Sequence, residues 1–127
     1  MSLANGTSTR ARPTDVRAAL TAALGAVPGV TAYPSVPDQA VAGAAWVKWL
    51  QTTYDGKLEM PGTFTYECYL TLPADYLAET VGQGDAFLEV LIPALWPVAQ
   101  VQYAEPVQIQ FNDRQSAPGI RLRVTTR

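Results

Sequence analysis

The chain has 127 residues, 48% of them apolar and only 16% charged, and nine basic against eleven acidic residues leave a formal charge of −2. That length suits one domain with its own hydrophobic core, and the acidic balance argues against a protein that grips nucleic acid by charge neutralisation alone. Histidine is absent and Cys68 is the single cysteine, which excludes an intrachain disulfide, Ser–His–Asp or Cys–His catalysis and nearly every structural zinc site.

Residues 1–13 are dominated by Ser, Thr, Asn, Gly and Arg and read as a flexible arm with no apolar core of a secretory signal. The domain proper is expected over residues 14–127. Thr14 is a candidate helix cap, Asp15 suits the positive end of a helix, and Val16, Ala19, Leu20, Ala23 and Leu24 fall on one stripe. Gly25 and Pro28–Gly29 end that helix. A short strand is expected at residues 30–33, followed by an extended passage enforced by Pro34 and Pro37.

Residues 44–50 alternate as a strand, with Trp46, Lys48 and Leu50 on one side and Val47 and Trp49 on the other. Asp55–Gly56 and Pro61–Gly62 make residues 51–62 a long hairpin loop. Residues 63–72 give the clearest strand: Phe64, Tyr66, Cys68, Leu70 and Leu72 point one way, Thr65, Glu67, Tyr69 and Thr71 the other. Pro73 stops it. A short helix is expected at 75–81, a break at Gly82–Gly84, and a second helix capped by Asp85 and running to Leu95, with Pro93 kinking it or ending it early. Two strands, 98–103 and 107–111, flank Glu105–Pro106. After a turn-rich loop at 112–119, the last strand, 120–126, turns Ile120, Leu122 and Val124 inward and Arg121, Arg123 and Thr125 outward. Strands in runs rather than strict alternation with helices predict an α+β fold: a single domain with an antiparallel or mixed β-sheet and helices packed on one face.

Chemistry-bearing patterns are few. Gly82–Gln83–Gly84 lacks the third glycine of a dinucleotide fingerprint and does not follow a strand, so it reads as a loop break. The carboxylates are spaced singly, without the pattern of a divalent-metal cage, and Cys68 on the apolar side of its strand reads as an inert buried thiol. No catalytic residue, cofactor or metal is expected. The aromatics around Trp46 and Tyr69 have only Lys48 and Lys57 beside them, which favours packing over base stacking. The charge layout is more telling. Residues 58–113 hold eight acids and no Lys or Arg, and residues 114–127 hold Arg114, Arg121, Arg123 and Arg127 and no acid. Two arrangements satisfy this: the tail folds back and neutralises its own domain, or those four arginines meet Glu67, Glu79 and Asp85 of a neighbouring copy, a heterologous contact that closes into a ring when repeated about an axis.

Several segments together resemble the small neck proteins of long-tailed bacteriophages, and most closely the tail terminators. They are Val27–Pro28–Gly29–Val30 leading to Tyr33–Pro34 and Val36–Pro37–Asp38, then Ala45–Trp46–Val47–Lys48–Trp49, the strand from Gly62 through Tyr66, Cys68 and Leu70 to Pro73, and the ending Pro118–Gly119–Ile120–Arg121–Leu122–Arg123–Val124–Thr125–Thr126. The resemblance covers residues 15–127. It implies a non-enzymatic virion protein at the tail–neck junction, assembled in the host cytoplasm as a homo-oligomeric ring, typically a hexamer. Such a ring caps the tail tube protein, stops its polymerisation and joins it to the head connector or stopper protein, while DNA passes through the lumen without specific binding and no membrane is involved. The loop bearing Tyr54, Asp55 and Lys57, and the arm, are then the elements that reach adjacent rings. A connector or stopper of the same neck is the nearest alternative, and a host small-molecule-binding module the next.

Overall fold

A computed structural model describes residues 13–53, 63–73 and 81–126. Its elements in chain order are α1 (Pro13–Gly25), β1 (Thr31–Ala32), β2 (Ala44–Thr53), β3 (Thr63–Thr71), α2 (Val81–Leu95), β4 (Gln100–Gln110) and β5 (Ser116–Thr126). The strands form one five-stranded mixed sheet in the order β1-β2-β3-β5-β4. Only the β1–β2 pair is parallel; β2–β3, β3–β5 and β5–β4 are antiparallel. Both helices pack on one side, giving the single α+β domain that the order of elements predicts.

The period-2 pattern decides which side is which. Phe64, Tyr66, Cys68 and Leu70 of β3 lie beside Ile120, Leu122 and Val124 of β5 and Ala45 and Val47 of β2. Against them sit Val16, Leu20 and Leu24 of α1 and Phe87, Leu91 and Leu95 of α2, one continuous core. The α1 stripe matches the expected one except that Ala19 is exposed and Ala23 only half-buried. Proline at the first helical position has the right φ and no N–H to satisfy, so the helix begins at Pro13, one residue before the expected cap.

Several element boundaries differ from the sequence expectation. Gly82–Gly84 does not break the chain, because α2 starts at Val81 and Asp85 lies within it rather than capping it. Phe87, Leu91 and Leu95, spaced four apart, are all buried, and that burial outweighs the roughly 1 kcal/mol helix penalty of each glycine. Pro93 is tolerated on the exposed side, two residues from the helix end. The two strands expected around Glu105–Pro106 are one strand, β4, with an irregularity between Val101 and Tyr103. At a sheet edge a proline removes no ladder bond if its missing donor faces outward. Similarly, β5 begins at Ser116, since Asn112 Oδ1 accepts the Arg114 and Gln115 N–H groups and compresses the turn, and β2 runs on to Thr53. The expected strand at 30–33 is reduced to the two residues of β1. The helix expected at 75–81 lies outside the described residues except for Val81, as do the arm up to residue 12 and most of the 51–62 loop.

One buried polar group ties the parallel edge to the sheet. Thr71, fully buried, accepts the Ala44 N–H at 2.8 Å and donates to the Val41 carbonyl. Thr71→Val keeps the shape but leaves the buried Ala44 N–H without this acceptor and removes the donor to the Val41 carbonyl, so it should cost about 2 kcal/mol, read as a lowered urea midpoint with an unchanged m-value. An unaltered midpoint would show that the hydroxyl does not hold this junction.

Candidate functional site: the helix-free face of the sheet

The opposite face carries no helix among the described residues, and its side chains fall in cross-strand rows. One row is Trp46–Tyr69–Arg121–Glu105, and the next is Lys48–Glu67–Arg123–Tyr103. The rows follow from the same alternation that builds the core: each residue flanking a core position on β2, β3, β4 or β5 must point here.

The face divides into an aromatic end and a charged centre. Trp46 stacks on Tyr69 with ring centroids 5.7 Å apart and planes 9° from parallel, and meets Phe111 edge-on at 5.7 Å. Ala44 and Ile109 complete this second cluster, with Tyr33 and Val107 at its margin. In the centre Arg121 donates from Nη2 to Glu105 Oε1 at 2.7 Å, and its Nε lies 3.9 Å from Glu67 Oε2. Tyr69 Oη donates to Glu67 Oε1 at 2.8 Å. The Glu105 hydrogen bond, foremost, raises the pKa of the Arg121 guanidinium, and burial followed by the Glu67 hydrogen bond raises the Tyr69 phenol above its usual value. Arg123 Nε is buried and has no hydrogen-bond partner among the described residues.

This geometry sorts the expected interface residues. Arg121 and Glu67 come together, but within one chain, as the self-neutralising arrangement requires. Arg123 lies opposite Glu67 on the neighbouring strand. Asp85 is exposed on α2, and Arg114 is exposed in the β4–β5 turn, so neither joins the network. Arg127, Glu79, Tyr54, Asp55 and Lys57 lie outside the described residues. Sequence reasoning did not single out Glu105, because splitting β4 at Glu105–Pro106 places that acid in a loop. The signal was available: a hairpin pairing Gln110 with Ser116 carries Glu105 to Arg121 by simple counting.

Cys68 sits on the other side, fully buried in the main core, and burial pushes its thiol up to about 12. It is a neutral packing group at physiological pH. Among the described residues no group of three His, Cys, Asp or Glu side chains is placed to hold a metal ion, and no helix is long and apolar enough to cross a membrane. No protein-family model matches the chain, and no curated protein sequence matches it either.

Proposed function

We propose that the chain is a structural virion protein of the tail-terminator kind: a ring, typically hexameric, that caps the tail tube of a long-tailed bacteriophage, halts its polymerisation and joins it to the head connector. One observation carries the self-assembling part of this reading. Trp96 is 66% exposed, Trp49 54%, and Val36 and Val90 48% each, in a chain with only 16% charged residues. Large apolar side chains left in water on a charge-poor surface are what other protein surfaces cover. The tail-tube assignment itself rests on the sequence resemblance. The acid-only stretch through residues 58–113 suits a lumen along which DNA slides without adhering.

Electron microscopy of particles made without this protein tests the reading. Overlong tails support a terminator. Tails of normal length beside heads that leak DNA point to a connector or stopper instead, and normal virions overturn a neck role altogether.

A further inference from the structure

We infer that copies of this chain join edge to edge, the free side of β2 in one subunit pairing antiparallel with the free side of β4 in the next. The inference rests on the ring reading and specifies its contact. Among the described residues β4 has a free edge, and β2 has one bordered by residues 34–36, where Val47 is 5% and Trp49 54% exposed. β4 is the last strand of the sheet, and β1 covers β2 only at Ala44 and Ala45.

The backbone settles which groups face outward. Tyr33 N–H donates to the Ala45 carbonyl from the β1 side, so Ala45, and by alternation Val47 and Trp49, turn their polar groups away from β3. Phe111 N–H donates to the Gln115 carbonyl across the β4–β5 hairpin. From Tyr103 onward the odd-numbered residues of β4 are thus bonded to β5, and Ala104, Pro106 and Gln108 face outward. Extending the strand order head to tail sets β4 antiparallel to β2 without inverting either face.

Side chains then select the register. Outside β2 lies a groove of about 360 Å³ walled by Arg17, Pro34, Ser35 and Val36 and floored by Val47, Lys48 and Trp49. Its charged groups, Arg17 and Lys48, are both basic, whereas β4 carries a single charge, Glu105. Only the register with Lys48 opposite Glu105 pairs these charges, and it also sets exposed Trp49 against the small Ala104 and Val47 against Pro106. Pro106 lacks one donor, but its carbonyl accepts the Val47 N–H. Glu105 bonds Arg121 through one oxygen, which leaves the other for Lys48.

The test is disulfide trapping of the full-length Lys48→Cys/Glu105→Cys variant under mild oxidation. Within one subunit β3 and β5 separate the two positions by three strand spacings, roughly 14 Å, beyond the reach of a disulfide, and the inert Cys68 does not compete. A ladder of covalent multimers is expected, at least about tenfold more abundant than from Lys48→Cys/Val107→Cys, two residues out of register. Monomer-mass product only, from a protein that sediments as an oligomer, overturns the edge pairing and leaves the ring reading standing. Sedimentation as a monomer at every concentration overturns both. If Glu105→Cys fails to fold for want of its bond to Arg121, Lys48→Glu serves: it leaves the Glu105–Arg121 bond in place and should raise the protein concentration at half-assembly about tenfold or more. No change there overturns the pairing.

Discussion

Replacing Gly43 or Gly119 by alanine is expected to be among the most damaging single changes in this protein, lowering stability by about 3 kcal/mol and the melting temperature by roughly 10 °C or more. Gly43 sits at φ 74°, and a β-carbon there would lie 2.2 Å from the Gly29 carbonyl oxygen. Left-handed backbone strain and a clash with main chain therefore add. Gly119 lies in β5, where a β-carbon would meet the Leu70 carbonyl oxygen at 2.3 Å and Ile109 Cδ1 at 2.4 Å. The Ile109 side chain needs that space to reach the Trp46 cluster, so the substitution should also disturb the aromatic end of the open face. Gly84→Ala is the internal control. It lies in α2 with nothing within 4 Å, and should stabilise by about 0.5–1 kcal/mol. Thermal unfolding of the three variants reads the contrast, and equal effects would mean that close approach is not what these glycines provide.

Arg121→Glu is expected to cost about 3 kcal/mol, well above a surface charge reversal. The guanidinium joins Glu105 of β4 to Glu67 of β3, and its replacement by a carboxylate removes a charge-assisted hydrogen bond and crowds three acids on adjoining strands. Arg121→Met, which removes the bond without adding charge, should lose about half as much. Urea unfolding of the two variants beside the parent protein reads the contrast, and equal losses from Arg121→Glu and Arg121→Met would show that the three side chains do not act as one cluster. Because of this network, charge reversal at Arg121 together with Arg123 affects the subunit's own stability as well as any ring contact, and sedimentation of such variants has to be read beside their unfolding curves.

The two faces of the sheet differ in how much of them the linear pattern revealed. The clean alternation of residues 63–72 and 120–126 was enough to assign Tyr66, Cys68, Leu122 and Val124 to the core and Glu67, Tyr69, Arg121 and Arg123 to the other side. Local turn and proline signals misplace the start of α2 and divide β4, because Gly82, Gly84 and Pro106 carry no information about what their neighbours bury. In α2 the stripe of Phe87, Leu91 and Leu95 outweighs glycine's helix penalty, and in β4 an edge position gives Pro106 a place where its missing donor breaks no ladder bond.

By itself the sequence determined the α+β class, the exclusion of imidazole and intrachain disulfide chemistry, and which side of each clear strand is apolar, since these depend on composition and on a repeat of two that any strand must obey. Only the tertiary structure decided that β5 lies between β3 and β4, and with it that Arg121 serves both Glu67 and Glu105 of its own chain. A period of two says which face a side chain occupies but carries no information about which strand lies alongside; that is set by long-range register, where burying the common core fixes all the partners at once.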